Sequence, residues 1–229
     1  MSGHDQSRDY ERELYPFLYD TPAAGGAALA AVLEEARRST LQKCDDVIAL
    51  RARILDKYAD ALLVAAEAMA TRFARGGKLL AFGNGGSATD AQDAELDCLL
   101  PAHPAWRALP ALTLTGDSAV FTAIANDVGF DRVYSRQVIA FGAPTDIALG
   151  FSTSGNSRNV LEGLAEAGKR GMLTIAISGN DGGAMALPGA ADHCFVARAE
   201  HVPRIQEGQA TIWHALLELV QDAMTEVPA

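Results

Sequence analysis

The chain has 229 residues, with 19 Lys and Arg against 29 Asp and Glu and a net charge of −10. Its length suits one sizeable domain, alone or with an extension, and the acidic balance excludes a general nucleic-acid binder, which needs a basic stripe to neutralise phosphates. No apolar run approaches the ~20 residues of a membrane span, the polar N-terminus has no apolar signal core, and Cys44, Cys98 and Cys194 form no CxxC pattern, so the expectation is a cytoplasmic protein with no membrane or nucleic-acid partner.

Residues 1–22 read as loosely organised, with an apolar-aromatic patch at Tyr15, Pro16, Phe17, Leu18 and Tyr19 that suits docking on the same domain or on a neighbouring subunit. From Gly26 to about Ala74 the spacing is helical. Val47, Leu50, Ile54, Tyr58, Leu62 and Ala65 recur at three or four residues, and "ARGG" from Ala74 supplies a stop. "KLLAFG" (78–83) then predicts a strand and "ATDAQDAELDCLL" a helix. "ALPALTLT" (108–115) predicts a second strand, followed by helices over 117–129 and 131–141. "DIALGFS" (146–152) is a third strand, 156–171 a helix, "MLTIAISG" (172–179) a fourth strand and "HCFVAR" (193–198) a short fifth. A long helix runs from Arg204 to about Thr225. Continuous apolar strands alternating with helices predict an α/β fold, a parallel sheet covered on both faces. Ligands of such sheets lie on the loops leading from strands into helices.

Two of those loops carry chemistry. "GNGGS", Gly83 to Ser87, follows the first strand, and "STSGNS", Ser152 to Ser157, follows the third. Glycine exposes backbone N–H groups without a Cβ in the way, and a helix N-terminus behind the loop favours an anion. Ser152, Thr153, Ser154 and Ser157 add hydroxyls suited to phosphate oxygens, although N-cap serines in plain turns would give the same pattern. No lysine completes a Walker A loop. Gly83, Gly85 and Ala88 half-match GxGxxG, which keeps a dinucleotide site as a rival. The rival leaves the second loop unexplained. A phosphate on the serine-rich loop, with a polar body reaching the glycine loop, describes a phosphosugar better.

"GNGGS", "AIANDVGF", "STSGNS" and "RIQE", in that order and spacing, resemble the sugar isomerase (SIS) domain family, and within it the phosphoheptose isomerase subgroup. The resemblance covers about residues 50–225. It implies a three-layer α-β-α sandwich with a five-stranded parallel sheet over residues 41–229, behind a partly helical extension over 1–40. It also implies a homotetramer with active sites where subunits meet, and a divalent metal, usually zinc. The reaction implied is aldose–ketose isomerisation of sedoheptulose 7-phosphate through an enediol.

Carried over residue by residue, phosphate binding falls to Ser152, Thr153, Ser154 and Ser157. Sugar contacts fall to Asn84, Gly85, Gly86, Ser87, Asn126, Asp127 and Gln206. The family's histidine and glutamate, metal ligands four residues apart, are here Asp93 and Asp97, and its glutamine and histidine on the last helix are Gln206 and His214. Those four are the expected metal donors, with Asp97 as base and His214 as its partner acid. An arginine expected four residues beyond Asp97 is Pro101, and an aspartate expected before "RIQ" is Pro203.

Residues 93 and 97 share one helix face, with Asp90 a turn earlier. Two carboxylates, an amide oxygen and an imidazole suit zinc or manganese, and a solvated acidic face is the other reading of the pair. Gln206 and His214 lie roughly 12 Å apart along a helix, so sharing one metal requires both to reach inward. Aspartate is shorter than glutamate by one methylene, and catalysis is sensitive to displacements of that order. These replacements keep open an alternative, a non-catalytic phosphosugar-binding protein that acts through protein partners.

Overall fold

The computed structural model describes residues 26–225, with side chains from 29 onward. The apolar-aromatic patch at 15–19 lies outside the described residues. By its internal contacts the chain divides into two units, Met1–Asp45 and Asp46–Ala229. The described part of the first unit is helical, and Leu29, Val32, Leu33 and Leu41 on it are exposed.

Helix α1 spans Gly26–Ala74 and ends at the glycines of "ARGG": Gly76 adopts a positive φ of 80°, and the N–H of Gly77 donates to Arg72 O at 3.0 Å. Then follow β1 (Leu79–Gly83), α2 (Gly86–Leu99), β2 (Ala111–Thr113) and α3 (Ser118–Asp127). A 3-10 turn at Phe130–Arg132 leads into α4 (Val133–Phe141), β3 (Ile147–Ser152), α5 (Arg158–Lys169) and β4 (Leu173–Gly179). After a second 3-10 turn at Gly183–Ala186, β5 (His193–Ala197) and α6 (Val202–Thr225) complete the order. Asp117 caps α3 by accepting the N–H groups of Ala119 and Val120 at 3.0 Å each. The β2 strand is shorter than its apolar run predicts. Pro110 has no N–H to give a ladder, and its carbonyl instead accepts the N–H of Leu79 at 2.9 Å.

All strand pairs are parallel, in the order β2-β1-β3-β4-β5. Strand residues alternate between two cores. Leu79, Ala81, Ile147, Leu149, Ile175 and Ile177 pack with α2, α6 and the Leu50–Phe73 stretch of α1. Leu80, Phe82, Ala148 and Ala176 pack with α4 and α5 on the other face. The second unit is therefore the three-layer α-β-α sandwich expected from the sequence, with five parallel strands. Lys78 donates its Nζ–H to the buried Asp146 Oδ2 at 2.5 Å, and that carboxylate also accepts the backbone N–H groups of Lys78 and Ala143. This ties the start of β1 to the turn before β3.

The chain leaves β1 toward β2 on one side, and β3 lies on the other, so the strand order reverses between β1 and β3. Gly83 pairs with Phe151 across that boundary. The glycine loop and the hydroxyl loop consequently emerge side by side at the carboxyl ends of adjacent strands, where ligands of open α/β sheets bind. Among the described residues no helix is long and apolar enough to cross a membrane.

Candidate functional site

In the hydroxyl loop, Ser152 Oγ lies 2.9 Å from Ser157 Oγ and 3.5 Å from Ser154 Oγ, and it accepts the N–H of Gly155 at 3.1 Å. Gly155 has a φ of 67°, and a Cβ there would lie 2.0 Å from Gly182 O, so only glycine lets the loop fold this tightly. Ser157 occupies the N-cap position of α5 without a side-chain cap bond. Three of the four predicted phosphate hydroxyls thus cluster over a helix N-terminus, an arrangement that favours an anion. Thr153 is half-buried beside them.

The glycine loop turns into α2 through Gly85, whose φ is 56°. Asn84 is half-buried and Ser87 is buried at 4% exposure. Gly86 is where α6 approaches: a Cβ on it would lie 2.4 Å from Gln206 Nε2. Asn84, Gly83, Gly85, Thr115, Phe121 and Tyr134 border a cleft of about 310 Å³ beside the loop. Asn126 and Asp127 stand exposed at the end of α3, where Asn126 Nδ2 donates to Asp127 Oδ1 at 2.7 Å. Among the described residues no side-chain hydrogen bond links that pair to either loop.

Helices α2 and α6 hold the other predicted residues at two levels. Gln206 lies at the upper level beside Gly86 and Asp90. Burial raises the pKa of the Asp90 carboxyl to about 6, Gln206 opposes the shift and Asp93 adds to it, while the buried Asp90 Oδ2 has no hydrogen-bond partner among the described residues. At the lower level Asp97 Oδ2 accepts the Trp213 Nε1–H at 2.9 Å and lies 3.5 Å from His214 Nε2. Asp93, between the levels, is exposed.

At the lower level a carboxylate and an imidazole, both donor types that zinc takes, face each other. Two ligands on one tetrahedral zinc, each about 2.1 Å from it, stand about 3.4 Å apart, close to the Asp97–His214 separation of 3.5 Å. The indole N–H on Asp97 is the kind of outer hydrogen bond that orients a ligating carboxylate. Among the described residues no three His, Cys, Asp or Glu side chains are gathered as a ready metal cluster, so within one chain the fit is to this pair.

Four residues that the sequence reading left out of the site belong to its surroundings: Tyr134, Asn159, Asp90 and Trp213. Asn159 lies two residues past the end of the hydroxyl loop, and Trp213 adjoins His214 in "TIWHALLEL". Adjacency was the available signal for both. Tyr134 is separated from the loops in sequence and carried none.

The model of the SIS domain matches residues 44–179. A phosphoheptose isomerase from Solidesulfovibrio magneticus is 41% identical over 193 residues, 84% of this chain and 93% of that protein. One from Thermodesulfovibrio yellowstonii is 43% identical over 164 residues, 72% of this chain and 81% of its own length. Among solved structures, a phosphoheptose isomerase from Neisseria gonorrhoeae superimposes with a TM-score of 0.73 at 35% identity, covering 83% of this chain and 99% of that one.

Proposed function

The chain belongs to the SIS domain family, and on that footing we propose that it is a phosphosugar isomerase that interconverts sedoheptulose 7-phosphate and an aldoheptose 7-phosphate. The observation that carries this reading is the pairing of two loops at the β1/β3 reversal. Clustered serine hydroxyls over the start of α5 suit the phosphate, and the glycine loop with its cleft suits the polar sugar. The relatives' name supplies the reaction class.

In this reading Ser152, Thr153, Ser154 and Ser157 bind the phosphate, while Asn84, Gly85, Gly86, Ser87, Asn126, Asp127 and Gln206 line the sugar side. Asp97 takes the proton from the carbon beside the carbonyl and gives it back to the neighbouring carbon, which converts ketose to aldose through an enediol. Trp213 holds Asp97 Oδ2 in place, leaving Oδ1 to carry the proton. Asp97 and His214 would hold a divalent metal of zinc's kind, with Asp93 and Gln206 as further donors from the same two helices. When bound, such a cation polarises the sugar carbonyl. His214 serves one role at a time, metal donor or the acid that protonates the carbonyl oxygen and then takes up the proton lost by the neighbouring hydroxyl as the aldehyde forms.

The reading extends to the whole protein: a cytoplasmic enzyme whose residues 41–229 form the sugar-phosphate domain behind an extension over 1–40. It assembles as a homotetramer with sites at subunit interfaces. Leu55, Leu63 and Val64 on α1 and Leu96, Leu99 and Leu100 at the end of α2 are exposed and large, which supports burial against other copies. Light scattering on the purified protein checks the tetramer.

The test of function is a coupled assay with zinc- or manganese-loaded protein and sedoheptulose 7-phosphate. Turnover is expected, and no turnover on any ketose phosphate would overturn the reading. One observation favours a second reading, a phosphosugar-binding protein without catalysis: Asp93 is exposed rather than turned into the site. In that case Asp97→Ala would leave sugar-phosphate binding and cellular function intact.

A further inference from the structure

Asn84 and Asn159 form a reciprocal pair. Asn84 Nδ2 donates to Asn159 Oδ1, and Asn159 Nδ2 donates to Asn84 Oδ1, both at 2.8 Å. Asn84 belongs to the glycine loop, and Asn159 to the first turn of α5, immediately behind the hydroxyl loop. Among the described residues no other side-chain hydrogen bond joins residues 83–87 to residues 152–159.

The pair is held from both ends. Asn159 is buried at 2% exposure, and its Oδ1 also accepts the N–H of Val160 at 3.0 Å, which fixes the amide's orientation on its own helix. On the other side Tyr134, fully buried on α4, directs its hydroxyl at Gly83 O and at Asn84 Oδ1, the latter 3.1 Å away. Its ring stacks on Phe82 at 5.1 Å and meets Phe121 edge-on at 5.8 Å. Burial pushes the Tyr134 hydroxyl far above its ordinary range, so it remains a donor at any working pH. The Asn84 oxygen thus takes one hydrogen bond from Asn159 and a share of Tyr134's single O–H, which Gly83 O also accepts, and neither group moves independently of the sheet.

The sheet fixes the roots of the two loops, because Gly83 and Phe151 are paired in the β1/β3 ladder. Beyond the ladder the asparagine pair is the side-chain tie between them. One loop suits a phosphate and the other the reacting end of the sugar, so the tie sets the distance between the two ends of the bound molecule. We propose that the Asn84–Asn159 pair, braced by Tyr134, is a spacer that determines which sugar-phosphate chain length the site accepts. Asn159 and Tyr134 are positioning residues in this scheme, acting through the loops. The proposal rests on the phosphosugar isomerase reading and adds the basis of its substrate selection.

The experiment compares the wild type with Asn159→Ala and with Tyr134→Phe, which keeps the ring and removes only the hydroxyl. Calorimetry gives affinities for sedoheptulose 7-phosphate, for the one-carbon-shorter fructose 6-phosphate and for inorganic phosphate, and turnover of both sugars is followed alongside. The wild type is expected to prefer the longer sugar. That preference falls about tenfold in Asn159→Ala and about threefold in Tyr134→Phe, the scale of losing two neutral hydrogen bonds or one, while inorganic phosphate affinity stays within about twofold of wild type.

A wild type with no length preference, or variants in which both sugars and inorganic phosphate weaken in parallel, would overturn the spacer. Should Asn159→Ala fail to fold, the same ratio measured in Tyr134→Phe decides the matter. A wild type that binds both sugars but turns over neither overturns the isomerase reading, and the affinity ratio still judges the spacer. A wild type that binds neither sugar overturns both.

Discussion

Trp213 donates its indole N–H to Asp97 Oδ2 at 2.9 Å, the same oxygen that lies 3.5 Å from His214 Nε2. Trp213 is itself only 2% exposed, so one buried aromatic joins the core under α6 to the proposed catalytic carboxylate. An indole fixed by packing cannot follow a wandering side chain. Asp97 is thereby held in one orientation, with Oδ1 turned to its other side.

Trp213→Phe should keep most of the packing and release Asp97. Turnover is expected to fall about tenfold with little change in KM, since an unpositioned base costs rate rather than binding. Asp97→Asn should cost roughly 10²–10⁴-fold, the usual range for loss of a general base. Steady-state kinetics in the coupled assay measure both. Equal activity of wild type and Asp97→Asn would remove Asp97 from the chemistry.

Metal binding should be visible without any substrate. Zinc at about a hundred times its dissociation constant should stabilise the folded chain by about 2.7 kcal/mol, read as a rise in Tm that a chelator reverses. Asp97→Ala and His214→Ala are each expected to abolish the rise. A zinc-dependent shift that survives in both variants would place the metal elsewhere.

Gly86→Ala tests the contact between α2 and α6. The new Cβ would meet Gln206 Nε2 at 2.4 Å, too close to remain, but the obstacle is the end of a flexible side chain. The protein should therefore fold, with Tm lowered by no more than a few degrees, about 1 kcal/mol. Activity should fall sharply because Gln206 is displaced from the glycine loop. Full activity with an unchanged Tm would show that Gln206 has no fixed role there.

His193 on β5 predicts a pH dependence of stability. Burial holds its imidazole below the usual value, outweighing Asp192, which pulls the other way. The unfolded chain titrates near pH 6.5, so below that pH it binds more protons than the folded one. The stability that His193 contributes is complete above about pH 6.5 and is lost as the pH falls toward the lower folded value. Tm should drop between pH 7 and pH 5, and His193→Gln should lessen that drop. Thermal melts at the two pH values check it, and identical profiles would contradict the assignment.

The sheet and its helices were legible because each element has a local cause. Apolar runs made β1, β3 and β4, three-to-four-residue spacing made α1 and α6, and the glycines of "ARGG" ended α1 at Ala74. Element edges moved where one residue's backbone decided them. Gly85 allowed α2 to begin at Gly86 rather than at Ala88, and Pro110 confined β2 to Ala111–Thr113.

The amino-acid sequence by itself determined the two loops and their chemistry, since glycine's freedom and serine's hydroxyl are properties of the residues wherever they lie. The tertiary structure decided what each loop faces. The strand order reverses between β1 and β3 and so sets the loops side by side. Helix α6 brings Trp213 to Asp97 and Gln206 to Gly86. The buried tyrosine of α4 comes up under Asn84. Such partners are far apart along the chain, and their meeting depends on the rotation and register of whole elements packed on a sheet, which no local periodicity encodes.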